Sequence, residues 1–263
     1  MNKEFALRVV GYCNKSPILR VVLINLRNTK SRKHPWKPLH PFDVTYGINT
    51  NKSLPWWLIT SGKSSDLHST GYAGCQPSCV RDALRAIPEP ERRTFVDLGC
   101  GKGRAMVLAS EFPFRHIVGV EISSYLVAQA RHNIGLVEAK YPQRPRMEVA
   151  HGDAMLFPYP EGDLVVFLFH PFHRELVSAL LIRLQEAAQL ADREIFIIYE
   201  NPVYGEVIDA APWLQRWYSK TVFHAPEEVG HSVGDGELVV IWRNERHDPI
   251  RTSPLPGRES RMH

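Results

Sequence analysis

Residues Phe95-Val96-Asp97-Leu98-Gly99-Cys100-Gly101-Lys102-Gly103-Arg104-Ala105 carry an apolar run straight into a helical one across three glycines. A strand that breaks over glycine into a helix opens a βα unit, and the chain downstream repeats that pattern. The spacing predicts strands over 94–98, 116–122, 146–150, 163–169 and 194–199. Helices are predicted over 104–111, 125–137 and 174–190, with another before the first strand, where Val80, Leu84 and Ile87 share a face. Strands that alternate with helices form a parallel sheet. The runs Val165–Phe169 and Ile195–Tyr199 lack polar alternation, as central strands covered on both faces do. Two further strands, 220–224 and 237–243, flank a loop with Gly230, Gly234 and Gly236 and predict a closing antiparallel hairpin.

The chain has 263 residues, 44% hydrophobic and 23% charged, which fits one large α/β domain with an appendage and excludes disordered or collagen-like classes. Its net charge of +4 sits at one end. Residues 1–40 hold nine Lys and Arg against a single acid, Glu4, so the remainder is net acidic. Within this basic head, Ser16-Pro17 and the stripe Leu19, Val22, Leu23, Leu26 predict a short amphipathic helix over 17–28. The irregular, Pro- and Trp-bearing stretch to residue 70 predicts one short helix near 56–60. The run Ile18–Leu26 carries Arg20 and falls well short of the roughly 20 apolar residues of a membrane span, so no transmembrane helix is expected. Four scattered cysteines, Cys13, Cys75, Cys79 and Cys100, give no disulfide framework and predict a reducing, cytoplasmic setting. Cys75 and Cys79 with His68 lack the second ligand pair of a structural zinc site, so no metal is expected.

A glycine turn of this kind lets a nucleotide-like ligand approach the backbone closely. No G-x-x-x-x-G-K-S/T string exists, which excludes the P-loop. The dinucleotide fingerprint G-x-G-x-x-G fails because its third position is Arg104. Asp97, two residues before Gly99, would also repel a pyrophosphate, which counts against an NAD oxidoreductase. That carboxylate suits a ligand with positive charge and no phosphate, such as the ammonium and sulfonium of S-adenosylmethionine.

Asp97, Gly99, Gly101 and Gly103 together resemble the first motif of the class I S-adenosylmethionine-dependent methyltransferases, an acid followed by glycine at every second position. Val118-Gly119-Val120-Glu121-Ile122 ends the next strand with an acid 24 residues after Asp97. The resemblance implies that Glu121 accepts the ribose hydroxyls, beside Ile122, and that Asp153 and Ala154 border the adenine. It also implies a three-layer, Rossmann-like sheet of seven strands in the order 3-2-1-4-5-7-6, the last antiparallel. On this basis residues 1–70 form the basic, partly irregular extension, 71–247 the methyltransferase domain and 248–263 a flexible tail.

His170-Pro171-Phe172 stands where amino methyltransferases keep Asn/Asp-Pro-Pro-Tyr/Phe beside the transferred methyl, with histidine in place of the first residue and one proline missing. A neutral imidazole there can accept an N–H or act as a general base. These three are the catalytic candidates, and they imply a nitrogen acceptor on a protein lysine or a small molecule. Tyr72, in Gly71–Pro77, resembles a lid residue over the methionine end of the cofactor, a lid that Phe42–Gly47 would join. Glu200 and Tyr204 lie past the fifth strand, at the edge where open α/β sheets hold substrates. The basic head makes RNA a second acceptor class, and a cofactor-binding protein without transferase activity is the reading from outside enzymology. Lys102 and Arg104 read as solvent-facing or salt-bridged residues at a helix start.

Overall fold

The computed structural model describes residues 39–51, 54, 72–169, 172–231 and 234–244. The predicted helices over 17–28 and near 56–60, and the tail 248–263, lie outside these residues. Seven strands form one sheet: β1 (Arg93–Leu98), β2 (His116–Glu121), β3 (Met147–His151), β4 (Asp163–Phe169), β5 (Ile195–Glu200), β6 (Gln215–Phe223) and β7 (Gly236–Arg243). Their order is β3-β2-β1-β4-β5-β7-β6. The first five strands pair in parallel, and β7 runs antiparallel to both β5 and β6.

The central strands are buried throughout because helices cover both faces. One layer holds α1 (Pro41–Tyr46), α2 (Pro77–Arg85), α3 (Arg104–Ala109) and α4 (Ser124–Lys140), packed on Phe95, Val165, Phe167, Phe196 and Ile198. The opposite layer holds α5 (Arg174–Ala191) and α6 (Gly205–Asp209), packed on Val96, Leu98, Val166, Ile197 and Tyr199. Alternate residues of one strand thus enter two different cores, which is why β4 and β5 read as unbroken apolar runs.

Two elements depart from the sequence expectation. The sixth strand begins at Gln215 and not at 220. As an edge strand it is exposed along most of its length, so burial imposes no apolar period on Gln215, Arg216 or Ser219. The five-residue α6 was not expected, since one turn and a half cannot display a 3.6-residue period.

Gly119 sits in the middle of β2 opposite Asp97 of β1. A β-carbon there would overlap the Sδ of Met106 and stand 2.8 Å from the Cβ and Sγ of Cys100. The glycine therefore lets the turn after β1 and helix α3 close onto β2. Because Met106 is fully buried and cannot swing aside, Gly119→Ala is expected to cost about 1–3 kcal/mol of stability, read by chemical denaturation, with the denaturant slope unchanged.

Candidate functional site

All three glycines after β1 take positive φ, with Gly99 at 83°, Gly101 at 56° and Gly103 at 85°. The backbone N–H groups of Gly99 and Cys100 both donate to Val120 O, which fastens the turn to the end of β2. There Glu121 bridges two elements: its Oε2 accepts from Gly101 N at 3.0 Å and its Oε1 from Ser123 N at 2.8 Å. Burial drives the Glu121 carboxyl up to about 7, and those backbone donors hold it from rising further. Asp97 is buried at 4% exposure and receives no hydrogen bond from any described residue. Burial, then the Glu121 charge, pushes Asp97 up to about 8. A buried carboxylate without a donor, next to a glycine turn, is a site built for a cation.

The segment before the domain closes one side of this turn. The Tyr72 ring lies against Gly101, where any β-carbon would overlap it, and its hydroxyl donates to Thr50 O at 2.6 Å. Tyr72 also forms an antiparallel bridge with Leu54. Lys102 and Arg104 were expected to be solvent-facing or salt-bridged; both are buried, and Arg104 takes the salt-bridged alternative with Asp43. Lys102 Nζ donates to Asn51 O at 2.6 Å and sits 5.0 Å from the centre of the Tyr72 ring. Arg104 donates through Nε to Thr50 Oγ1 at 2.7 Å and through Nη1 to Cys75 O at 2.9 Å, with Asp43 Oδ1 3.9 Å from Nη2. Asp43 in turn accepts from Thr50 N and Asn51 N. Tyr46 is a docking residue, donating to Glu111 Oε1 and accepting from Arg144 Nη1.

On the other side of the turn, Gly152 N donates to Glu121 O, so the end of β3 is tied to β2. Asp153 Oδ1 accepts from Met155 N at 2.8 Å, which shapes the turn. Ala154 is buried and Ile122 half-buried, with Ile122 O 3.2 Å from His151 Nε2. Asp97, the three glycines, Glu121, Ile122, Asp153, Ala154 and Tyr72 thus cluster around the carboxyl ends of β1, β2 and β3. His170 and Pro171 lie outside the described residues. Phe172 is buried in the core under α5.

Further along the same edge, Glu200 ends β5 and its Oε1 accepts from Gln76 N at 2.8 Å, at the start of α2. Glu237 is the second residue of β7, and past the end of the neighbouring β6 His224 Nε2 stands 3.9 Å from Glu237 Oε1. Burial raises both carboxyls, and the charge of Glu237 raises Glu200 further. The amino edge of the sheet is a contrast. There Arg93 is 2.7 Å from Glu194 and 3.7 Å from Asp163, and Arg243 is 3.8 Å from Glu194. Charges at the amino edge neutralise one another, whereas the carboxyl edge gathers Asp97, Glu121, Glu200 and Glu237. Sequence reasoning missed Glu237 and Gln76; the one signal for Glu237 was an acid near the start of an otherwise apolar strand.

Residues 95–190 match a family described as a methyltransferase domain. Among curated proteins, the trans-aconitate 2-methyltransferase of Azoarcus sp. (strain BH72) is 28% identical over 152 residues, covering 55% of this chain and 56% of that protein. The trans-aconitate 2-methyltransferase of Variovorax paradoxus (strain S110) is 28% identical over 95 residues, covering 33% of this chain and 37% of its own length. The chain thus spans about half the length, or less, of these relatives. A solved structure, the magnesium protoporphyrin IX methyltransferase of Synechocystis PCC 6803 with bound SAH, aligns with a TM-score of 0.44 at 14% identity, over 64% of this chain and 81% of that one. Residues 95–190 are thus a methyltransferase domain by similarity, and the acid-and-glycine turn, the carboxylate ending β2 and the strand order agree with the resemblance to the class I S-adenosylmethionine-dependent methyltransferases.

Proposed function

We propose that this chain transfers a methyl group from S-adenosylmethionine to a nitrogen acceptor, the amine of a protein lysine or of a small molecule. The observation that carries the cofactor half is Asp97, a buried carboxylate with no donor among the described residues, set on the glycine turn beside Glu121. Bound S-adenosylmethionine supplies a methyl group already activated on a sulfonium, so alignment does most of what catalysis requires. Asp97 holds the positive end of the cofactor and Glu121 its ribose hydroxyls. Gly101 lets the Tyr72 ring pack onto the turn and Gly103 lets the chain enter α3 at positive φ, while Asp153 and Ala154 flank the adenine. Tyr72 covers the turn and keeps water from that side. In this reading His170 and Pro171, which follow β4 in sequence, are the acceptor-side candidates, and Phe172, buried in the core under α5, is a packing residue.

The nitrogen acceptor is supported by charge. Four carboxylates line the carboxyl edge, an environment that attracts ammonium groups and repels anions. A second reading, an anionic acceptor, is favoured by the names of the trans-aconitate relatives. The test is calorimetric titration of the full chain with S-adenosylmethionine, S-adenosylhomocysteine and NADH. Transfer of isotope-labelled methyl is then followed to lysine-bearing proteins, small amines and trans-aconitate. Micromolar binding of the first two ligands, none of NADH, and label on an amine is the expected result. Absence of S-adenosylhomocysteine binding would overturn the cofactor assignment; label on trans-aconitate alone would replace the acceptor.

A further inference from the structure

Glu200 and Glu237 sit on neighbouring antiparallel strands. Glu200 pairs with Val239, two residues from Glu237, so the two side chains leave the same face of the sheet, the one on which α2 begins. Glu200 is 1% exposed. Its Oε1 is engaged by Gln76 N, whereas Oε2 of Glu200 and Oε2 of Glu237 receive no hydrogen bond from any other described residue, which leaves the two carboxyls to bond to each other. Burying two like-charged carboxyls side by side is costly, and the His224 imidazole 3.9 Å from Glu237 stands beside only one of them. Glu237 keeps 12% of its side chain exposed, so approach from solvent passes over it towards Glu200.

The position along the edge says what would approach. The cofactor site runs from the end of β3 to Asp97 on β1. Across β4, the end of β5 is two strand spacings further on, roughly 10 Å. Glu200 and Glu237 therefore face the end of the cofactor site nearest Asp97 and away from the adenine side. Cys75, whose carbonyl is held by Arg104, lies between the two regions, its thiol feeling the charges of both Glu200 and Asp97.

We propose that Glu200 and Glu237 are the acceptor-recognition pair, which binds a primary ammonium group and takes one of its protons onto the carboxylate pair. This rests on the methyl-transfer reading and narrows its acceptor to a cationic amine. The pair begins with one shared proton, because burial and mutual repulsion keep the two carboxyls from ionising together. When an ammonium N–H bond breaks, its electron pair stays on nitrogen as the lone pair. The proton joins the carboxyl pair, which then holds two, and net charge is conserved.

The test is titration of the S-adenosylhomocysteine-loaded full chain with Nα-acetyl-lysine methylamide, and separately with trans-aconitate, followed by chemical-shift changes. Wild type is compared with Glu237→Gln and Glu200→Gln. The expected result is lysine-probe binding that weakens at least tenfold in Glu237→Gln while S-adenosylhomocysteine affinity stays within twofold. Glu200→Gln keeps an acceptor for Gln76 N–H and should behave alike; if it does not fold, Glu237→Gln decides. Lysine-probe binding that is absent, or unmoved by Glu237→Gln, overturns the pair's role while leaving the cofactor reading intact, and so does tighter binding of trans-aconitate than of the lysine probe. Failure of wild type to bind S-adenosylhomocysteine instead overturns the methyl-transfer reading on which the proposal stands.

Discussion

Asp97→Asn is expected to weaken S-adenosylhomocysteine binding by about 1.5–3 kcal/mol, roughly 10- to 150-fold in Kd, and to remove most of its pH dependence. The wild-type dependence comes from where the carboxyl titrates. Folded Asp97 is raised to about 8 and Glu121 to about 7, so in the free protein each holds a proton that the unfolded chain releases near pH 4. On the proposed reading the ligand's ammonium needs Asp97 ionised, so binding below pH 8 expels a proton. Affinity therefore rises with pH, by up to tenfold per unit between about 6 and 8, and levels off above. Stability of the free protein runs the opposite way. A raised carboxyl contributes stability fully below its unfolded value, and that contribution is lost as pH climbs through the folded one, so the free protein should weaken from about pH 4 to 8. Calorimetry in two buffers of different ionisation enthalpy counts the expelled protons directly. A wild-type affinity flat from pH 6 to 9, or an Asp97→Asn protein that still expels the proton, would refute this account of the site.

How much of this was legible depends on the distance in sequence over which each feature is encoded. The turn from Asp97 to Gly103 is one local strand-to-helix junction, and Glu121 is found by counting to the end of the next strand. The sheet order comes with the resemblance, and the alternation of buried runs with helical stretches supports it. All of this is local information or a single period. The acceptor edge is not local: Glu200 meets Gln76 across 124 positions, and no periodicity announces that an acid near the start of β7 will lie beside one closing β5. The same holds for Arg104. Read as the first residue of a short helix it is solvent-facing or salt-bridged with no partner named; only the folded chain shows that residues 43–51 and Gly74 come back to wrap it. Gly74 has no side chain because the Arg104 guanidinium lies where its β-carbon would be.

Arg104→Met is the substitution expected to cost most stability. The guanidinium is 4% exposed and satisfies three partners from the preceding segment, Thr50 Oγ1, Cys75 O and Asp43. Methionine fills much of the volume but leaves Asp43 buried as an uncompensated carboxylate and Cys75 O without its donor. Breaking a buried charge pair from one side costs about 3–5 kcal/mol, which for a domain of this size is on the order of 10 °C in Tm. Arg104→Lys should recover little, because one ammonium cannot reach in three directions from a fork-shaped site. The loss has a location as well as a size. Thr50 and Asn51 hold Tyr72 and Lys102, so the wall over the glycine turn should open with the segment. Protease cleavage within 39–51 should accelerate well before global unfolding, and S-adenosylhomocysteine should slow it again by holding Tyr72 in place. A variant that melts lower yet cleaves no faster in that segment would mean the arginine supports the helix layer in general and not the wall of the cofactor site.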